Sequence, residues 1–444
     1  MRLKQLFQSR FFVDSATLQV AALFRSTVNL ASTFALAHVL GATLQGEYYL
    51  AVATYSFLWF AVNLGLQAVT TSQVAAAAAR GNDYKVAAWL AYLLKASMVL
   101  GLVVVALSWV LLPPLAKWAY GDSRLGVFAA LLTTTPILEL PRAVACAGLQ
   151  GTRRMLALAR VEVASECVRL LLVVAGALVI GSALGPILGS LAATCVSSVL
   201  AIDTYRRETR RRDSPLPGLR DVLAKVREVP LKHGLRLGLR MGLVRNVDAY
   251  GVQILPPILL GVFGDRAWVA YLRLAQSAVG AARTLMEGIN RTALPYFSEI
   301  VGLREISRLS RAYWRVTLTS GLLISSGLLL SLPIAPHLIA LWPRDYHDPV
   351  WICYLILLPG TMVVSFSVAN DTFYLVTNTL KVAVQLSVLG LVVNTLVVAF
   401  LAWRFPTLGV AVGLSFTYCW SMVHVAYAFW WFRTRGSSVE TEES

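Results

Sequence analysis

The chain has 444 residues, of which 57% are hydrophobic and 14% are charged. Soluble domains carry about 25% charged residues, so this composition excludes an ordinary soluble protein and indicates a membrane protein. The formal net charge of +16 does not indicate nucleic-acid binding, because the positive residues collect in the connections between apolar segments, as membrane topology requires.

The apolar runs predict an all-α polytopic membrane protein with about twelve transmembrane helices. The basic stretch 1–10 precedes a long apolar run without a small-residue cleavage site, so we expect the first span to remain as a helix. The predicted spans lie at about 16–40, 47–73, 86–112, 126–148, 161–180, 187–203, 236–262, 268–291, 316–335, 350–375, 382–402 and 409–432. Turn-like stretches separate several of them, at 41–46, 113–114, 181–186 and 343–349.

The distribution of Lys and Arg predicts the orientation of these spans. One set of connections, together with both termini, carries 24 of these residues, and the opposite set carries five. Because positive residues favour the cytoplasmic side, both termini are predicted to be cytoplasmic.

The predicted domains are an N-lobe at 1–203 and a C-lobe at 236–432, each with six helices, around a central cavity. Residues 204–235 form a basic cytoplasmic linker between them, and 433–444 form a cytoplasmic tail. The linker contains arginine clusters followed by the amphipathic stretch Leu219–Val229. It either lies on anionic lipid or provides a docking site for a partner or an anionic headgroup.

Two arginines inside apolar spans suggest a duplicated module. Arg25 and Arg245 each stand sixteen residues before the glycine of a Leu-Gly pair, at Gly41 and Gly261. An ionised guanidinium near mid-bilayer costs roughly 2.5–3.5 kcal/mol on insertion scales, so each needs a water-filled cavity or a partner. Arg25 has no acid three or four positions away, whereas Arg245 has Asp248. The pair predicts a cavity that receives an anion.

Polar residues on other spans extend the candidate site. The eighth span places Arg273, Gln276, Gly280, Arg283, Glu287 and Arg291 on one face. The predicted substrate-binding residues are Arg25, Arg245, Arg283, Asn29, Asn63 and Arg273. Four acids, Asp248, Glu287, Glu139 and Asp371, either bind a coupling proton or cation or pair with the arginines.

Two further spans carry charges at helical spacing. Glu162, Glu166 and Arg169 share one face of the fifth span. In the fourth span, Glu139 lies between Pro136 and Pro141, and Arg142 follows directly. Arginine offers a rigid fork of donors that suits phosphate, so the cavity arginines fit a diphosphate or an acidic sugar better than a cationic drug.

The sequence contains no motif for catalysis or a cofactor. There is no phosphate-binding GxxxxGK[ST] loop, no H-E-x-x-H motif and no G-x-S-x-G elbow. The longest outer connection, 335–349, is too short for a catalytic domain. We expect no enzyme activity, no metal and no cofactor, and we interpret the five cysteines as packing residues.

Short motifs recur in both halves of the chain. They are Leu40-Gly41, Gly46-Glu47-Tyr48-Tyr49 and Asn63-Leu64-Gly65-Leu66 in the first half, and Leu260-Gly261-Val262-Phe263-Gly264, Tyr271 and Leu294-Pro295 in the second. With these motifs the chain resembles the polysaccharide and O-antigen flippases of the multidrug/oligosaccharidyl-lipid/polysaccharide exporter superfamily. Twelve spans favour the polysaccharide-repeat branch over the lipid II flippases, which usually carry two further helices.

The resemblance implies transport of an undecaprenyl-diphosphate-linked oligosaccharide from the inner to the outer leaflet of a bacterial plasma membrane. Its implied partners are this substrate, the bilayer and polysaccharide assembly enzymes. An alternative is a cation-coupled multidrug exporter of the same fold, for which Asp371 and Glu139 are the best coupling residues. A third hypothesis is a membrane glycosyltransferase or polymerase that acts on the same lipid-linked sugar.

Overall fold

The computed structural model describes residues 10–60, 65–211, 215–231, 250–302 and 305–440. Within these ranges the chain is helical and contains no β-strand. It divides into two compact units, Met1–Asn246 and Val247–Ser444. The all-α class predicted from the sequence is therefore confirmed.

The helices of the first unit are α1 (Arg10–Phe60), α2 (Leu66–Ala79), α3 (Asp83–Tyr120), α4 (Ser123–Leu132), α5 (Thr135–Leu138), α6 (Leu140–Gly151), α7 (Met155–Ile180), α8 (Leu184–Thr209) and α9 (Leu219–Lys225). In the second unit, a π-helical turn (Tyr250–Ile254) precedes α10 (Leu255–Phe263), α11 (Arg266–Gly302), α12 (Ile306–Ser331) and α13 (Ala335–Ile339). A 3₁₀ turn (Arg344–Tyr346) then leads to α14 (His347–Ser365), α15 (Asn370–Val376), α16 (Leu380–Arg404), α17 (Gly409–Cys419) and α18 (Ser421–Glu440).

Several of these segments are long and apolar enough to cross a bilayer. Over the described ranges they number seven, and the bent pair formed by α4 to α6 makes an eighth. The seven are Val20–Trp59, Asp83–Tyr120, Met155–Ile180, Leu184–Thr209, Arg344–Val376, Leu380–Arg404 and Gly409–Thr434. The predicted seventh span lies partly outside the described residues, so the number twelve stays a prediction.

The boundary between the first two predicted spans coincides with a sharp kink in α1. α1 consists of two helices that meet at Gly41, whose φ of 69° and ψ of 174° are not helical, so the predicted break is confirmed at the first residue of 41–46. Glycine adopts positive φ without a steric penalty, so the helix bends there and resumes. The fully buried Gln45 side chain crosses the kink and donates a hydrogen bond to the Thr33 carbonyl, at 2.9 Å.

Prolines interrupt the first unit differently from the prediction. Pro113 and Pro114 were expected to end a span, yet α3 continues through them to Tyr120. α4 packs so closely here that a Cβ on Gly126 would collide with the Leu112 carbonyl. The predicted fourth span is instead divided by a bend of 41° just before α6. A proline lies in the first turn of α6, a position that proline favours.

The closest helix contact in the first unit joins α7 and α8. Gly176 and Gly185 face each other so tightly that a Cβ on either would collide with the other's carbonyl oxygen. A Cβ on Gly189 would likewise collide with the Leu172 carbonyl. Small residues allow membrane helices to approach backbone to backbone, where van der Waals packing and weak hydrogen bonds hold them.

We expect Gly189→Ala to destabilise the protein. Overpacking costs typically about 1–3 kcal/mol, and here the obstacle is backbone, which cannot rotate away. The melting temperature of the detergent-solubilised protein measures the effect. The matched control is Gly327→Ala in α12, because a Cβ at Gly327 meets nothing within 4 Å. A Gly189→Ala variant as stable as the control would contradict this packing.

Part of the predicted linker packs as an ordered element of the first unit. Val222 of α9 is buried, and the buried Tyr205 hydroxyl donates a hydrogen bond to the Pro217 carbonyl, at 2.9 Å. Lys95 of α3 donates a hydrogen bond from Nζ to the Val229 carbonyl on the same segment, at 2.8 Å. These contacts attach residues 215–231 to α3 and α8.

The second unit has an aromatic core at one end of α12. Tyr313, Phe373 and Phe432 lie with ring centroids 5.3–5.5 Å apart. The Tyr313 hydroxyl donates to Asn370 Oδ1 at 2.6 Å, which satisfies a polar group inside this buried cluster. Each of the three helices α12, α15 and α18 contributes one of these rings, so their packing holds the helices together.

Candidate functional site

A polar cavity of about 210 Å³ lies within the first unit. Among the described residues, its lining consists of Arg25, Gln67, Glu139, Arg142, Ala143, Cys146, Glu162 and Glu166. Five of these eight side chains are ionisable carboxylates or guanidiniums, although they lie on helices of an apolar membrane protein. Charged groups inside membrane segments are costly and usually line a hydrated cavity or pair with one another.

Local helix geometry places each charged group toward the cavity. Glu162 and Glu166 stand one turn apart on α7, so they share a face. Glu139 lies at the break between α5 and α6, and Arg142 follows one turn later. Arg25 is contributed by α1. Three helical regions, α1, the start of α6 and α7, therefore supply one charged lining.

Two ion pairs neutralise part of this charge. Arg142 Nη2 contacts Glu139 Oε1 on the same segment. Arg169 Nη2 lies 2.6 Å from Glu166 Oε2, and the Arg169 Nε also donates to this oxygen, at 2.8 Å. The same guanidinium donates to Asn29 Oδ1 of α1, at 3.4 Å. The Glu166–Arg169–Asn29 contact thus connects α7 to the helix that carries Arg25.

Two charged groups of the lining make no such pair. Within the described part of the chain, Arg25 and Glu162 form neither an ion pair nor a hydrogen bond. Arg25 is an exposed side chain with five donors, and Glu162 is half-buried with acceptor oxygens. The described lining therefore contains one guanidinium and one carboxylate without an ion-pair or hydrogen-bond partner, and both can contact a bound ligand.

The described lining has more negative than positive groups. Three carboxylates face two guanidiniums, and Arg169 behind Glu166 brings the total to balance. No three His, Cys, Asp or Glu side chains in the described ranges lie close enough together to hold a metal ion. Such a lining offers guanidinium donors to an anion at one point and carboxylate acceptors to hydroxyl or ammonium groups at another.

The structure brings together only some of the predicted site residues. Arg25 and Glu139 line the cavity, and Asn29 lies beside it through Arg169. Three others, Asn63, Arg245 and Asp248, lie outside the described residues. Arg283 and Glu287 belong to α11, but their side chains also fall outside the description.

Two predicted residues of the second unit are engaged in local contacts. Arg273 Nη1 donates to Gln276 Oε1 at 3.4 Å, and Gln276 in turn donates to the Val252 carbonyl in the π-helical turn, at 3.0 Å. Asp371 Oδ2 accepts a hydrogen bond from Asn290 Nδ2, at 3.3 Å. These contacts hold α11 against its neighbours within this unit.

Three charged residues of the cavity were absent from the predicted site. Arg142, Glu162 and Glu166 had been noticed as helical patterns, but nothing in their spacing connects them with Arg25. The available signal was the density of charge in apolar spans, since each ionisable residue at membrane depth is a functional candidate by default.

Comparison with known proteins identifies a family and a fold. A family model described as "Polysaccharide biosynthesis protein" matches residues 16–301. No curated protein matches the sequence significantly. An inward-facing multidrug resistance MATE family transporter of the MOP superfamily is similar, with 16% identity, a TM-score of 0.70, and 96% of this chain and 100% of that chain covered.

Two other solved structures are similar over comparable lengths. A MOP superfamily transporter from Pyrococcus furiosus is 16% identical, with a TM-score of 0.65 and 96% of both chains covered. A eukaryotic MATE transporter is 15% identical, with a TM-score of 0.65 and 94% of both chains covered. At these identities the likeness establishes a MATE-like transporter fold.

Proposed function

We propose a function from the premise that this chain belongs to the polysaccharide biosynthesis protein family, whose model matches more than half of its length. Its fold is that of the MOP superfamily transporters. The protein is accordingly a multi-pass membrane transporter of that superfamily. We infer its substrate from the residues that line the cavity.

The proposed substrate is an undecaprenyl-diphosphate-linked oligosaccharide, which the protein transfers from the inner to the outer leaflet. One observation carries this proposal: Arg25, on a membrane-spanning segment, lines a polar cavity and makes no ion pair among the described residues. Binding of an anion offsets the free energy that it costs to place a guanidinium in the membrane. The planar guanidinium also matches two phosphate oxygens in bidentate geometry.

The proposed mechanism is alternating access. The diphosphate binds Arg25, the sugars occupy hydrated cavity space, and the polyprenyl tail remains in lipid. Rocking of the two predicted lobes would then carry the headgroup across the bilayer. We further propose location in a bacterial inner membrane with both termini cytoplasmic, contact with polysaccharide assembly enzymes, and coupling to a proton or cation gradient.

A second candidate is a cation-coupled multidrug exporter. The observation that favours it is the set of carboxylates Glu139, Glu162 and Glu166, because an acidic cavity suits a cationic compound. The similar Pyrococcus furiosus transporter is described as having a binding pocket of reverse polarity that suggests a different function. For the protein described here, we propose that the charge of the cavity distinguishes these two candidates. A third candidate, a glycosyltransferase, is tested by a glycosyl-transfer assay on purified protein.

Mass spectrometry of membrane lipids from cells lacking the protein tests the proposal. We expect an undecaprenyl-diphosphate oligosaccharide to accumulate while the corresponding surface polymer disappears. The mass of the accumulated glycan then identifies the repeat unit. Unchanged lipids combined with new sensitivity to cationic compounds would instead support the exporter.

A further inference from the structure

The charge of the first unit's cavity restricts which sugar it can accept. Two of its carboxylates are neutralised, Glu139 by Arg142 and Glu166 by Arg169. Glu162 has no such partner in the described ranges. A sugar ring that enters next to Glu162 meets a carboxyl group that has no ion-pair partner among the described residues.

Two of the three guanidiniums at the cavity already have partners. Arg142 is held by Glu139, and Arg169 is shared between Glu166 and Asn29. The remaining guanidinium is that of Arg25, which binds the diphosphate if the proposed function holds. A uronic acid or other acidic sugar would therefore find no uncommitted guanidinium among the described lining residues.

The remaining polar groups suit hydroxyl and amino substituents. An ionised carboxylate accepts hydrogen bonds and binds ammonium, and an amide such as Gln67 both donates and accepts. At about 210 Å³ the cavity is smaller than the roughly 300–1,000 Å³ of sites for drug-sized ligands. We expect it to receive one sugar ring, with the rest of the glycan outside it.

We infer that this cavity is the sugar-selecting subsite of the transporter, that it accepts a neutral or amino sugar and rejects an acidic one, and that Glu162 is the residue that determines this selectivity. The inference rests on the proposed function and makes it more specific. The sequence had left a diphosphate and acidic sugars as alternative ligands of the cavity arginines; the arrangement of charges favours the diphosphate alone.

Binding of three synthetic probes to the purified full-length protein tests the inference. Each is a short polyprenyl diphosphate that carries N-acetylglucosamine, glucosamine or glucuronic acid. We expect the first two to bind at least tenfold more tightly than the third. Glu162→Gln keeps the side-chain volume and removes the charge, so it should reduce that preference to less than threefold. Glu162→Asp keeps the charge and should retain the preference.

Two controls separate selectivity from general damage. Glu228→Gln changes an exposed carboxylate that pairs with Lys225 outside the cavity, and it should leave all affinities unaltered. Arg25→Gln should weaken the three probes to the same degree, because they share the diphosphate.

The outcomes are distinguishable. Equal or tighter binding of the glucuronic acid probe, or a preference that survives Glu162→Gln, would overturn the role of Glu162 while leaving the flippase proposal standing. If none of the diphosphate probes binds but cationic drugs do, the proposed function fails, and the sugar subsite fails with it.

Discussion

Arg25→Ala is expected to reduce transport of the lipid-linked oligosaccharide by at least tenfold while leaving membrane insertion intact. Hydrogen bonds to charged groups contribute about 1.5–3 kcal/mol each, and every 1.4 kcal/mol is about a factor of ten in affinity. The variant loses a bidentate donor at the diphosphate but no ion pair within the described residues. Flipping in proteoliposomes, together with the amount of protein in the membrane fraction, measures both quantities.

Two further variants show whether transport depends on the charge of Arg25 or on the planar geometry of its guanidinium. Arg25→Lys keeps the charge but loses the planar fork, so we expect intermediate activity. Arg124→Ala removes an exposed arginine that pairs with Asp122 at the start of α4, away from the cavity lining, and it should transport normally. The sequence predicts the same loss for Arg245→Ala. Full activity of both the Arg25→Ala and Arg245→Ala variants would exclude an anion site built on these arginines.

Glu166→Gln is expected to destabilise the protein more than the double variant Glu166→Gln with Arg169→Gln. The single change leaves the Arg169 guanidinium without its carboxylate at membrane depth. A buried polar group left without a partner costs about 1–3 kcal/mol. We expect a loss near the lower end, because the Arg169 guanidinium is 40% exposed and keeps its contact with Asn29. Removing both charges restores a neutral pair that can hydrogen-bond, so at least half of the lost stability should return.

A double-mutant cycle on melting temperature measures this coupling. The exposed fractions of the two side chains are 40% for Arg169 and 18% for Glu166, so water screens the pair only in part. Asp203 and Arg207 on α8 form a comparable but more exposed pair, at 52% and 77%, and serve as the matched control. Coupling as weak at Glu166–Arg169 as at the control pair would contradict a structural role for this ion pair on α7.

Sequence patterns were sufficient for the class of protein and for much of its layout. Apolar periodicity identified the membrane helices, because a bilayer requires about 20 apolar residues with internally satisfied backbone. Arg25 was recognised because a lone cation in an apolar span is rare. The same reasoning explains the confirmed break at Gly41 and the error at 113–114. Glycine and proline mark places where a helix can bend, but packing decides whether it ends there.

What the sequence by itself determined is therefore local: the helical class, the approximate spans and the face on which each charge lies. What only the tertiary structure decided is which faces meet. The Arg169 contact to Asn29 joins residues 140 positions apart, and the cavity joins Arg25 to Glu139 and Glu162. Helical periodicity determines direction around one helix axis but contains no information about the neighbouring helix. That information comes from side-chain packing between helices, such as the glycine contacts of α7 and α8.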